Sequence, residues 1–304
     1  MHAEAGLLAL RASSTSEARL HLETAVVLFE WSRHAAQQAR SRGEAERGGV
    51  EPMSGLLSGI RPEYDVQPRI DRSLFSLALA AGALAAGAPT TAGPFAADAR
   101  RESPFDPDVQ LVLGAVAEGL AEQDRMRGRK PAAVGWLDEA AKALSQSVLL
   151  DAGLVRDPET AAHPTPRGLE ARLRLGRVAL EQGWPVQARR CFEEVDRTGD
   201  DRQRYLARLL LGRLADRQGQ VDDAIAWYRR ALEAWPESQA AALALAHATE
   251  RSSGPTAARP LVAEAVALSL RSGTSVDPWR SYLFGPPGLA EATLDRIRMK
   301  ALGQ

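Results

Sequence analysis

Residues 206–236, LARLLLGRLADRQGQVDDAIAWYRRALEAWP, constrain the fold of this chain more than any other stretch. Leu211-Gly212 sets a large side chain beside a small one in a first helix, and Gly219 stands where the chain must turn. Ala224, Tyr228 and Ala231 follow at i, i+4 and i+7, one stripe of a second helix that Pro236 stops. Small residues let two helices approach closely, the aromatic ring fills the gap, and glycine takes turn backbone that other residues resist. The pattern predicts an antiparallel helix pair in which Gly212 lies at the contact and Tyr228 is buried against it.

The same pattern recurs. Leu175-Gly176, Gly183, Ala188 and Phe192 form a copy upstream, and Leu245-Ala246, Gly254, Ala258, Val262 and Ala265 form a weaker one downstream. The turn glycines Gly183, Gly219 and Gly254 fall 36 and 35 residues apart. With their large-small pair, turn glycine and small-aromatic-small stripe, these copies resemble the tetratricopeptide repeat (TPR) family, whose period is about 34 residues. Departures are visible: the aromatic that the family carries early in its first helix is replaced by Arg172, Arg208 and Ala242, and its mid-helix tyrosine by Ala179, Ala215 and Thr249. Pro260 should also strain the second helix of the third copy, because it lacks an N–H in mid-helix. The resemblance implies an all-α, TPR-like α-solenoid of antiparallel helix pairs, at 169–182/185–198, 205–218/221–234 and 239–252/255–271.

Composition agrees with helices. Aromatics make up 5% of the 304 residues, and β-branched runs are few, so a sheet is not expected. The net charge of −1, from 38 basic and 39 acidic side chains, argues against a generic binder of nucleic acid or anionic membrane. Cys191 is the one cysteine, which rules out an intrachain disulfide framework and a multi-cysteine zinc site. It reads as a structural thiol.

Punctuation divides the rest of the chain into residues 1–69, 70–168 and 169–304. Ser16 to about Arg42 forms an expected N-terminal amphipathic helix carrying Leu20, Leu28, Phe29 and Trp31, followed by a linker at 43–69 with five glycines and three prolines. Helical signal resumes at Ser73, a candidate N-cap, and residues 74–103 read as a cryptic pair broken at Ala88-Pro89-Thr90. Asp106-Pro107-Asp108 opens a first helix in which Leu113-Gly114 repeats the large-small pair. A basic loop at 124–131, holding four basic residues between Asp124 and Lys130, separates it from a helix over 136–150. The apolar run 74–88 is too short to span a bilayer as a helix of about 20 residues. No basic n-region precedes the apolar run Gly6–Leu10, so no signal peptide is expected; the chain reads as cytoplasmic as given, or as periplasmic or exported if its N-terminus is mis-assigned.

The segments EARLRLGRV (170–178), YLARLLLGR (205–213) and DPWRSYLFG (277–285), taken together, resemble a group of bacterial TPR proteins of unassigned role, over roughly residues 105–302. In that group the array closes with an Asp-Pro-Trp segment and a final helix, and its members are commonly exported. The resemblance implies a C-terminal cap, with Trp279, Tyr282 and Phe284 covering the last helix pair and an amphipathic helix from about Leu289 to Leu302.

Catalytic patterns are missing from the sequence. His2, His21, His34, His163 and His247 are scattered without metal-ligand spacing, and there is no P-loop, GxGxxG turn or GxSxG elbow. The carboxylate pairs Asp222-Asp223 and Glu193-Glu194 are adjacent on a helix and point to different sides. No cofactor or metal is expected. In TPR arrays the first helices line a concave groove, and the position after the small residue is here Arg177, Arg213 and His247. Beside it stand Leu173, Leu209 and Leu243. This predicts an apolar strip and a basic row able to hold a peptide or protein segment with an acidic group, by guanidinium contacts. The plain alternative is that these arginines pair with nearby carboxylates. The function read from sequence is a non-catalytic protein–protein interaction scaffold, with neither a nucleic-acid partner nor a membrane span. The rivals are an enzyme or enzyme subunit with a site in residues 1–165, and a self-associating structural protein.

Overall fold

The computed structural model describes residues 72–154, 164–271 and 277–301, and every regular element among them is a helix. The expected N-terminal helix and the Gly/Pro-rich linker lie outside the described residues. In chain order the helices are α1 (Arg72–Ala85), α2 (Pro89–Glu102), α3 (Pro107–Met126), α4 (Lys130–Leu154), α5 (Pro166–Glu181) and α6 (Pro185–Thr198). There follow α7 (Asp201–Arg217), α8 (Val221–Ala234), α9 (Gln239–Ser253), α10 (Pro255–Arg271), the short α11 (Pro278–Leu283) and α12 (Leu289–Ala301). Each of α1 to α10 packs on its neighbours in sequence, giving five antiparallel pairs in an α-solenoid.

Small-against-large packing sets the pairs. A Cβ added to Gly176 would come within 2.6 Å of the Phe192 ring, and one added to Gly212 would press into Tyr228. Gly114 meets Leu144 in the same way, so α3 and α4 repeat the device with leucine in the aromatic place. Phe192 and Tyr228 are buried along with Ala188, Ala224 and Ala231. Cys191 is buried beside Phe192, and burial pushes its thiol up to about 11, the behaviour of a packing residue. At the turns Gly183 and Gly219 have φ of 79° and 74°, a region costly for side chains with a Cβ.

Helix starts are chemically marked. Asp200 and Gln203 form a capping box on α7, Thr165 caps α5 through the Gly168 N–H, and Asp106 caps α3 through the Asp108 N–H. Ser73 is not a cap: it lies buried inside α1, which is already helical at Arg72. The expected basic loop shrinks to Arg127, Gly128 and Arg129, because α3 and α4 extend into it from both sides. Asp124 draws it in, pairing with Arg129 and accepting from the Trp136 indole N–H at 3.2 Å. Helix α10 continues through Pro260 instead of breaking there. That proline cannot donate to the Thr256 carbonyl, and the loss is confined to one bond in a 17-residue helix.

The C-terminal helix packs on α1, at the opposite end of the array from the pair that precedes it in sequence. Ala290 joins the apolar cluster of α1 to α3, with Leu289 and Leu294 packed against it. Arg296 reaches Asp108 at 2.9 Å and Asp106 at 3.3 Å. Phe284 would meet a side chain at Gly87, after α1, and Gly285 lies against Leu84. The surface expected to be capped, that of α9 and α10, instead leaves Val262 and Val266 exposed.

Candidate functional site

Since Asp277 follows α10 and Leu289 reaches α1, residues 277–288 must cross the whole array. They cross on the inner face, over the first helices of successive pairs. At the start the Asp277 carboxylate accepts four hydrogen bonds. The Tyr205 hydroxyl donates to Oδ1 at 2.9 Å, the Ser238 hydroxyl and the Ala240 N–H donate to Oδ2 at 3.0 Å each, and the Trp279 N–H donates to Oδ1 at 2.9 Å. Ser238 caps α9, so the carboxylate rests where unpaired N–H groups and the helix dipole favour negative charge. Tyr205 is fully buried, and burial, reinforced by Asp277, raises its pKa and keeps the hydroxyl a neutral donor.

Farther along, Trp279 and Tyr282 stack with ring centroids 5.6 Å apart. Tyr282 is fully buried and belongs, with Leu173 and Leu209, to the apolar cluster of the central repeats, against which Trp279 also packs. Beneath it lies a buried charge cluster. Arg174 donates to Glu170, Glu118 and the Tyr282 carbonyl, each at 2.9 Å, and its guanidinium stands 4.4 Å from the Tyr282 ring centroid. Burial alone would lower the Arg174 pKa, but Glu170 and Glu118 outweigh it, so the group stays charged. Arg177 lies 3.5 Å from Glu118 and 5.7 Å from the ring centroid, and Arg202 lies 3.5 Å from Glu170.

The six residues predicted to line the groove therefore divide. Leu173 and Leu209 are buried in the cluster that includes Tyr282, and Arg177 is held against Glu118. Arg213 on α7 is half-buried, and Leu243 and His247 on α9 form the exposed part of the face. There the arginines pair between repeats. Glu181 of α5 accepts from Arg213 at 2.9 Å and Arg217 at 2.7 Å, and Asp216 of α7 pairs with Arg251 of α9. Sequence reasoning missed Arg174, Glu118, Tyr205 and Ser238. The available signal was Arg174 itself, a charge just before the Leu175-Gly176 pair with Glu170 one turn earlier.

A cavity of about 310 Å³ opens between α3, α4 and α5. Ala121, Ala133, Val134, Leu137 and Val178 give it an apolar floor. Of the charged groups at its edge, Glu122 pairs with Arg125, Glu118 with Arg174 and Arg177, and Glu181 with Arg213. No group of three or more potential metal ligands occurs among the described residues, and no helix among them is long and apolar enough to cross a membrane.

A family model, that of the tetratricopeptide repeat, matches residues 173–239. Among solved structures the chain is similar to a crystal structure of the MamA protein, at 15% identity and TM-score 0.46, covering 68% of this chain and 98% of that one. A double mutant of MamA from RS-1 is 18% identical with TM-score 0.48, covering 67% and 98%. MamA from residue 41 to its end, from Desulfovibrio magneticus RS-1, is 19% identical with TM-score 0.46 over the same shares. No curated protein matches. Residues 173–239 thus carry tetratricopeptide repeats, and the pair before them has the same small-on-large helix contact.

Proposed function

We propose that the chain is a non-catalytic scaffold that binds a segment of another protein along its inner face. The observation that carries this is the seating of residues 277–285, the short helix α11 and its flanks, on that same face, through one carboxylate, two stacked aromatics and backbone groups. A face that reads one peptide segment this way has the chemistry to read another. The cavity beside α3 fits the scaffold reading, because its floor is apolar and its glutamates Glu118, Glu122 and Glu181 are each paired with an arginine.

In the state described, the stretch open to a partner holds Arg213, Leu243 and His247. An acidic segment there would exchange Glu181 for its own carboxylate on Arg213, a contact sensitive to salt through the on-rate. The test is a pull-down from the native organism, followed by affinity measurements on the captured partner at two ionic strengths. Arg213→Glu with Leu243→Ala should weaken binding roughly tenfold or more, equivalent to about 1.4 kcal/mol, with helicity unchanged. Equal affinity at both ionic strengths would place the binding surface on the convex side.

A further inference from the structure

We infer that the segment Asp277–Gly288 is a built-in competitor on the inner face, and that the external ligand is a partner-protein segment of its chemistry: an acidic residue, an aromatic two positions later and a tyrosine three beyond that. This deepens the scaffold reading and rests on it.

The acidic subsite is the more telling half. Sequence pattern pointed to Arg177 and Arg213 as the readers of an acidic group. The structure holds its carboxylate with neutral donors instead: the Tyr205 and Ser238 hydroxyls and the Ala240 N–H at the start of α9. These groups come from two neighbouring pairs, α7 and α9, so the subsite exists only when the repeats are stacked. The aromatic subsite lies one pair away, where Arg174 and Arg177 face the Tyr282 ring and Arg174 also grips the Tyr282 carbonyl. Its fit is imperfect in one respect. The Tyr282 hydroxyl is buried without a hydrogen-bond partner. A buried hydroxyl without a partner carries a desolvation penalty. A ligand that satisfies this position would hold the face better, residue for residue, than the chain's own segment does.

Being tethered, the internal segment competes at an effective concentration on the order of millimolar. Wild type should therefore bind an external segment of equal quality weakly, and loosening the internal one should raise the apparent affinity by the fraction of face it frees.

The experiment uses the full chain and a fluorescently labelled peptide of the sequence DPWRSYLFGPPG, read by anisotropy. The double variant Asp277→Ala with Trp279→Ala loosens the internal segment but keeps Tyr282 and α12. It should bind the peptide at least about tenfold more tightly than wild type. A control peptide with alanine in place of its aspartate and tyrosine should not bind. Equal binding to wild type and variant, or none to either, overturns the inference. So does a concentration-dependent dimer whose segments exchange between copies, which would make a second copy the occupant. If the double variant melts early, Asp277→Asn alone weakens the internal anchor, leaves Tyr205, Ser238 and Ala240 intact for the peptide, and should show the same direction with a smaller change. Partner binding that depends on Arg213 and Leu243, with no peptide binding by either variant, would leave the scaffold reading standing and sink this one.

Discussion

The interior of the repeats and the inner face beneath the C-terminal segment are held by opposite chemistries. Between α5 and α6, and again between α7 and α8, glycine meets an aromatic ring and alanines line the contact, with almost nothing polar. Under Tyr282, by contrast, Arg174 and Glu118 are each no more than 4% exposed and Glu170 is 5% exposed, and Arg174 donates to both glutamates and to a backbone carbonyl. Apolar packing adapts to losses by partial collapse. A buried ion cluster does not, because removing one partner leaves the others charged and dry. The difference suggests that the repeats supply stability, while the charged cluster fixes where the crossing segment lies.

Substitutions can break that contrast. The largest effect should come from Arg174→Ala, which removes the closest cation from both Glu118 and Glu170 and leaves them only Arg177 and Arg202, each at 3.5 Å. A loss of about 3–5 kcal/mol is expected, measured by urea denaturation. A loss below about 1 kcal/mol would mean that water enters the cluster.

Next in size is Tyr228→Ala, on the order of 3 kcal/mol from the cavity left against Gly212. Gly212→Leu should cost about 1–3 kcal/mol through overpacking of the same contact. A thermal melt that shifts for neither would put the helix register in error. Tyr205→Phe should cost roughly 0.5–1.5 kcal/mol, because the Asp277 carboxylate retains three of its donors. The smallest change is expected at Arg213→Ala, below about 1 kcal/mol, since its side chain is 41% exposed and Glu181 keeps Arg217. A loss as large as that of Arg174→Ala would erase the distinction between the two regions.

The repeats were legible because their determinants are local. Leu211-Gly212, Gly219 and the Ala224-Tyr228-Ala231 stripe lie within 21 residues, and helical periodicity alone decides which of them meet. The expected pairs therefore agree with α5/α6, α7/α8 and α9/α10 to within a few residues at each end. The path of the C-terminal segment was not legible. Arg174 binds Tyr282 across 108 positions and Arg296 binds Asp108 across 188, distances over which no period operates. Trp279, Tyr282 and Phe284 were read as cover for the last pair, whereas Tyr282 lies in the central cluster and Phe284 beside Gly87, because amphipathicity names a need for cover without naming the surface. The same limit explains the groove. Position within the repeat put Leu173 and Arg177 on the inner face, yet only the folded chain places Tyr282 over them.

Repeat arrays ordinarily lengthen and shorten with ease, because each unit contacts only its neighbours. Here α12 docks on α1 while Asp277 is anchored at α9, so the crossing segment measures the array like a ruler. A sixth pair inserted between α1 and α9 would separate the two anchorages by one repeat width, and a deleted pair would leave the segment slack. Unit duplication, the usual route by which such proteins evolve, is therefore closed to this one unless residues 277–288 change length in the same event. The tie also joins the two ends thermodynamically. Fraying of α1 and α2 must disturb α12, and through it the contacts at Tyr282, so the array should unfold as one unit where an untied solenoid would peel from its termini.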